Sequence, residues 1–313
     1  MDMEVTRNFK ELTKGDVGAA GGKGSSLGEM TQAGISVPPG FVVTAQAFDE
    51  FLKITDLNVE LDSILDNVDH NAMHTVEEAS QKIQALITGA KMPQEISDEI
   101  VAGHKELGAE FVAVRSSATS EDSAQAAWAG QLESYLNVTE KDLQESVQKC
   151  WASLFTPRAI FYRFEKGLHG TPISVAVVVQ KMVESDVSGI AFSVHPVTQD
   201  HDQLIIEAGF GLGEAIVQGA ITPDSYVVEK SSWNILDKNI AEQKRGMFRG
   251  KDGGSDWQDI PTEQGEKPTL SDDEVIRLAK LIVKIEKHYG FPVDVEWAKE
   301  NGELFIVQSR PIT

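Results

Sequence analysis

Apolar residues recur along this chain with two different periods, and each period predicts its own kind of element. Phe41-Val42-Val43 is an unbroken apolar run between Gly40 and Thr44 and predicts a buried strand; Thr44 then caps a helix carrying Phe48, Phe51 and Leu52. Thr75-x-x-Glu78 has the spacing of a capping box for a helix reaching about Thr88, and residues 93–107 predict a further helix. The stretch 56–74 is the least periodic and reads as helical and peripheral. Residues 111–114 predict a strand, while Thr139-x-x-Asp142 and Thr156-Pro157 open helices. Residues 174–179 form a β-branched run, a buried strand leading into Gln180-Lys181-Met182-Val183. From Ser188 the texture changes to short strands at 189–194, 204–208 and 226–229, which places one lobe over residues 1–185 and a second over 186–313. Residues 246–267 are polar and Gly-rich and predict a mobile surface excursion. Ser271-x-x-Glu274 caps a helix with Val275, Leu278, Ala279, Ile282 and Ile285 on one face, stopped by Gly290 and Pro292.

The chain is organised around its closing stretch, residues 293–313. Val293, Val295 and Trp297 alternate with Asp294 and Glu296, so a strand puts both carboxylates on one face. Asn301-Gly302 is a strong hairpin signal, and a second alternating run, 303–310, follows it. A two-residue turn pairs Glu300 with Glu303 and puts Gln308 on the face opposite Glu296. A three-residue loop, 301–303, instead sets Glu296 opposite Gln308 and Asp294 opposite Arg310. The second register is the expectation, because it gathers two carboxylates, an amide and a guanidinium suited to a divalent cation and a polyphosphate. The plain alternative is an amphipathic hairpin whose polar face meets water.

Composition narrows the partners. The 313 residues are 41% hydrophobic and 25% charged, ordinary for a globular protein, but 28 basic against 49 acidic residues give a net charge of −21. That balance repels nucleic acid and anionic membrane, so a polyphosphate site must rest on a few well-placed cations. One cysteine, Cys150, leaves no internal disulfide, and neither a signal-like start nor a membrane-length apolar run is present, so the expected location is cytoplasmic.

Several stretches offer such cations. Gly21-Gly22-Lys23-Gly24 reads as a flexible loop running into a helix that ends near Gly34; its glycines and the helix amides favour an anion that Lys23 reaches, although a Gly-rich turn with one lysine is more often a plain loop. Walker spacing is absent. Arg115 at a strand end, followed by Ser116, Ser117, Thr119 and Ser120, is suited to gripping phosphate oxygens. Gly130 is a place for close backbone approach. Residues 180–183 present backbone groups to an adenine edge, with Met182 packing on the ring or simply in the core. Glu207 is flanked by apolar residues, which is costly unless it is paired or metal-bound. Gly209-Phe210-Gly211-Leu212-Gly213 lacks the dinucleotide fingerprint.

Taken together, 21–30 with Val37-Pro38-Pro39-Gly40-Phe41, 114–122, Ala129-Gly130-Gln131, 211–217, 222–228, 294–297 and 307–311 resemble, in order and over essentially the whole chain, the ATP-binding domain of the phosphoenolpyruvate synthase, pyruvate phosphate dikinase and rifampicin phosphotransferase family. The resemblance implies an α+β, ATP-grasp fold of two lobes with ATP and Mg2+ in the cleft between them. It implies Lys23 and Arg115 as phosphate contacts, Gly130 and Ser134 lining the nucleotide, and Gln180, Met182 and Val183 in the adenine hinge. Glu296 and Gln308 become the metal and phosphate pair with Asp294 beside them, and Arg310 braces the transferred phosphoryl group, so that Arg115 and Arg310 are the catalytic cations. Members of the family continue past this point into a domain with a phospho-accepting histidine and then an acceptor-binding domain. None of the seven histidines here sits in that context, so the expected partners are such swivel and acceptor domains, in cis in a longer parent or in trans. The expected function is phosphoryl transfer from ATP through phosphohistidine, toward pyruvate; antibiotic phosphorylation and a stand-alone ATP-binding module are the alternatives.

Overall fold

The β-branched run after Ser174 becomes the middle strand of a five-stranded antiparallel sheet, and a second sheet forms after Val183. The computed structural model describes residues 3–119, 133–167, 174–251 and 253–312. Contacts divide the chain into two compact units, Met1–Glu29 with Pro39–Met182, and Met30–Pro38 with Val183–Thr313.

In the first unit β1 (Thr6–Asn8), α1 (Val17–Gln32), β2 (Gly40–Val43), α2 (Ala45–Ile54), α3 (Leu57–Asp66), α4 (Met73–Gly89), α5 (Gln94–Leu107), β3 (Val112–Ala118), β4 (Ser134–Val138), α6 (Glu140–Ala152), α7 (Pro157–Glu165) and β5 (Val175–Lys181) follow in order. The sheet order is β1-β2-β5-β3-β4. One face, with Val43, Val112, Val114, Val175, Val177 and Val179, is buried with Phe48, Phe51, Ile83, Ile100, Val147 and Trp151 of the helices in one core. Trp151 packs its ring, tilted, against Phe51 at 4.9 Å and Phe48 at 5.4 Å between centroids. Burial of such aromatic and branched side chains, about 1.5–3 kcal/mol each, is what holds the helices to the sheet.

Caps at Thr44 and Thr156 form as expected, each hydroxyl accepting from a backbone N–H three residues on. The one expected at Thr75 does not. Helix α4 begins at Met73, because a turn closed by Asp69 delivers the chain into the helix earlier; the Thr75 hydroxyl bonds back to Asp69, accepting its N–H at 3.0 Å. The glycine-rich loop is also corrected. Residues 21–24 lie inside α1, which breaks only at Gly21 (φ 68°, ψ 175°) and resumes at once, leaving Lys23 in the first turn after the break.

In the second unit β6 (Val187–Phe192), β7 (Gln203–Phe210), α8 (Glu214–Val217), β8 (Asp224–Glu229), β9 (Ile235–Asn239), β10 (Arg245–Arg249), β11 (Ser255–Asp259), α9 (Thr262–Gly265), α10 (Asp272–Tyr289), β12 (Val293–Glu300) and β13 (Glu303–Pro311) build a six-stranded sheet of order β13-β12-β6-β7-β8-β9. Helix α10, with its Ser271–Glu274 capping box and Gly290 stop in place, packs on β7, β8 and β12. That covers the sheet face carrying Leu204, Ile206, Tyr226, Val228, Val293, Val295 and Trp297. The excursion after Gly246 is a paired hairpin, β10 with β11, rather than an irregular loop. A single buried carboxylate holds both of its ends: Asp224 accepts from the Ala241 N–H at 3.0 Å and from the Thr269 N–H and hydroxyl at 2.8 Å each. No helix among the described residues is long and apolar enough to cross a membrane.

Candidate functional site

Residues opposed across an antiparallel pair share a face of the sheet. In the first unit Arg115 opposes Ser134 on β4 and Val178 on β5, and Val178 opposes Val42 on β2. Gln180, opposite Ala113, lies on the same face. Three residues expected at the site, Arg115, Ser134 and Gln180, are therefore neighbours on one surface of this sheet, the one away from the apolar core. Helix α1 lies over that surface: a Cβ on Gly24 would come 2.9 Å from Val42 and 3.7 Å from Val178.

The hydroxyls after Arg115 do something other than expected. Ser117 Oγ donates to Ala20 O at 2.9 Å and accepts the Gly24 N–H at 3.2 Å, straddling the break in α1. Gly21 faces it so closely that a Cβ would lie 2.2 Å from Ser117 Oγ, so only glycine fits, both for space and for its positive φ. Ser116 Oγ donates to Glu133 O and Thr119 Oγ1 to Ser174 O. These hydroxyls are struts that bind backbone to backbone, and Ser117 in particular fixes the turn of α1 that carries Lys23. Arg115 is buried, 8% exposed. Beneath it the fully buried Cys150 thiol is pushed far up by burial and, less, by Glu133, with Lys23 pulling it down. Gly130 and Ser120 lie outside the described residues.

The second unit assembles its polar face from the terminal hairpin. Glu296 opposes Gln308 and Asp294 opposes Arg310, the register expected from the chemistry. The loop expected to produce it is wrong. Glu300 pairs with Glu303 across a two-residue turn, with Asn301 (φ 51°) and Gly302 (φ 81°) both left-handed, and one extra residue, Val307, is taken up as a bulge between the Trp297–Ile306 and Glu296–Gln308 pairs. A bulge re-aims every side chain beyond it. Here it keeps Ile306 in the core yet turns Gln308 and Arg310 to the face of Glu296 and Asp294. Arg310 Nε donates to Asp294 Oδ2 at 2.8 Å, so that carboxylate is half of an ion pair.

The same face continues inward. Glu296 opposes Ile190 on β6, which opposes Glu207 on β7. Glu207 therefore stands two strands from Glu296, about 10 Å between Cα atoms. Burial holds its carboxyl above the usual range. At the end of the first unit the N–H groups of Lys181 and Met182 are engaged with Pro39 O at 2.9 Å and Phe111 O at 3.1 Å, whereas the N–H of Val183, in the second unit, makes no bond among the described residues.

A hard divalent cation fits the oxygen donors of this face. Magnesium takes one or two carboxylates and fills its remaining positions with phosphate oxygens and water. Among the described residues no group of three or more His, Cys, Asp or Glu comes together.

The chain belongs to the family of pyruvate phosphate dikinase AMP/ATP-binding domains, whose model matches residues 17–313. Among curated proteins it is 45% identical, over 97% of its length, to a protein of Methanocaldococcus jannaschii named "Probable phosphoenolpyruvate synthase", and covers 26% of that protein. It is 44% identical to one of the same name from Methanothermobacter thermautotrophicus, covering 45% of it. It is 39% identical to the rifampicin phosphotransferase of Bacillus subtilis, covering 35% of it. The chain thus spans less than half the length of each of these relatives.

Two features had no separate signal in the sequence. The bulge at Val307 was hidden in a conflict, since the Asn301-Gly302 turn demands one parity for β13 and the shared face of Gln308 and Glu296 demands the other; that conflict was itself the available clue. Asp186, whose bonds tie the start of β6 to the terminal hairpin, sits in an ordinary polar stretch.

Proposed function

We propose that this chain binds ATP with magnesium and serves as the phosphoryl-donor part of a phosphotransferase of the phosphoenolpyruvate synthase type, with an ATP-grasp arrangement. The observation that carries the reading is the re-aimed hairpin, in which Glu296 meets Gln308 and Asp294 meets Arg310 on one face, in a chain that belongs to an ATP-binding family. Lys23, Arg115 and Arg310 offset phosphate charge, and Glu296 with Gln308 offers oxygen donors to the cation. Asp294 holds the Arg310 guanidinium in place through its ion pair and so acts on the phosphate through that cation. Gly130 and Ser134 line the nucleotide, and Gln180, Met182 and Val183 border the base, with the Val183 N–H as its hydrogen-bond donor. Bound magnesium supplies charge neutralisation of the phosphate oxygens in a loose transition state.

The acceptor is a histidine on a swivelling domain elsewhere in the assembly, which hands the phosphoryl group to a further domain, and pyruvate is the final acceptor. A rifampicin-type acceptor is the second reading, favoured by the 39% identity to the Bacillus subtilis enzyme over the same stretch. Supplying γ- and β-labelled ATP together with the histidine domain of a related synthase tests the transfer. Label on that histidine is expected. ATP binding without transfer, where the synthase's own ATP domain transfers under the same conditions, would leave a binding module only.

A further inference from the structure

One exposed residue, Asp186, makes three separate connections at the point where the chain leaves Val183 for β6. Its N–H donates to Lys299 O at 2.9 Å, its carbonyl accepts the Gly211 N–H at 3.1 Å, and its Oδ2 accepts the Asn301 N–H at 2.9 Å. The first and third reach the end of β12 and the tip of the terminal hairpin; the second reaches the turn after β7. Ser188, two residues on, donates its hydroxyl to Gly211 O and closes the same junction. The exit from Val183 and the hairpin that displays Glu296 and Gln308 are thus fastened to each other by a residue that lies on neither.

We infer that Asp186 is a positioning residue, which sets the spacing between the base-reading amide of Val183 and the Glu296–Gln308 pair so that one nucleotide engages both. The inference rests on the ATP reading above. Two binding groups joined in one ligand reinforce each other only when their subsites stand at the ligand's own spacing, and a mismatch loses the joint gain while leaving each half intact. The Asp186 carboxylate does this by accepting the N–H of Asn301, the first residue of a left-handed turn whose second residue, Gly302, accepts at its carbonyl from Arg277 Nη2 at 3.3 Å, so that Asp186 holds the side of the turn nearer Val183. Loosening that turn lets the hairpin tilt relative to Val183.

The test compares Asp186→Ala and Asp186→Asn with the unaltered chain by calorimetry, using adenosine, magnesium pyrophosphate and ATP with magnesium as separate ligands. Loss of one charge-assisted bond is expected to weaken ATP with magnesium about tenfold in Asp186→Ala. Adenosine and magnesium pyrophosphate stay within about twofold, since neither needs the spacing. Asp186→Asn restores ATP binding, because its amide oxygen accepts the same N–H. If Asp186→Ala does not fold by circular dichroism, Asp186→Ser, too short to reach Asn301, carries the same expectation. Equal losses for all three ligands, or no loss for any, overturn the inference while leaving the ATP reading intact. Failure of the unaltered chain to bind ATP overturns both.

Discussion

Gly21 and Glu207 show how single positions carry the account. A methyl group at Gly21 would meet both Ser117 Oγ and Ser117 O within 2.3 Å and would have to hold φ at +68°. Gly21→Ala is expected to cost about 2–4 kcal/mol by denaturant unfolding and to weaken ATP binding severalfold, since it displaces the turn that carries Lys23. Glu207 behaves in the opposite way. Burial raises its folded pKa above the ordinary 4.5, so the folded state holds the proton more tightly than the unfolded chain. That contribution to stability is complete below pH 4.5 and is lost as pH rises through the folded value. Glu207→Gln, neutral at every pH, should therefore raise the unfolding midpoint at pH 7 by a degree or two, ~0.5 kcal/mol after allowing for its partial exposure. The gain should vanish near pH 4, and a stability loss at pH 7 would show that the carboxylate is held by a favourable partner instead.

At the scale of elements, the hairpin tests whether the facing of Gln308 and Arg310 is what aligns the site. Removing Val307 leaves the Asn301-Gly302 turn and the Trp297–Ile306 pair unchanged and still places Gln308 opposite Glu296. The Val307 deletion should thus keep ATP affinity within about fivefold, the bend of the strand being the main thing lost. Removing Ser309 instead sends Arg310 to the covered face against α10, and a loss of tenfold or more is expected from a buried, unpaired guanidinium and a missing phosphate contact. Helix ends with explicit caps, Thr44, Thr156 and Ser271, were legible in the sequence because side chain and backbone partner lie within three residues of each other. The start of α4 was not legible, since Asp69 competes for the same threonine. Nor was the purpose of Ser116, Ser117 and Thr119, whose partners Glu133, Ala20 and Ser174 lie far along the chain. Local chemistry suggested phosphate; distant packing supplied backbone.

For the whole molecule, the acidic balance of −21 makes binding of a polyanion improbable unless cations and a divalent ion are concentrated where it sits. Of the residues proposed for ATP, Lys23 and Arg115 belong to the first unit and Glu296, Gln308 and Arg310 to the second. The direct test is calorimetric titration of the chain with ATP, with and without magnesium, alongside Glu296→Gln and Arg115→Ala. The account predicts binding by the unaltered chain that strengthens with magnesium, and a loss of well over tenfold in each variant with secondary structure unchanged. ATP affinity that is absent in the unaltered chain, or fully retained in both variants, would contradict it.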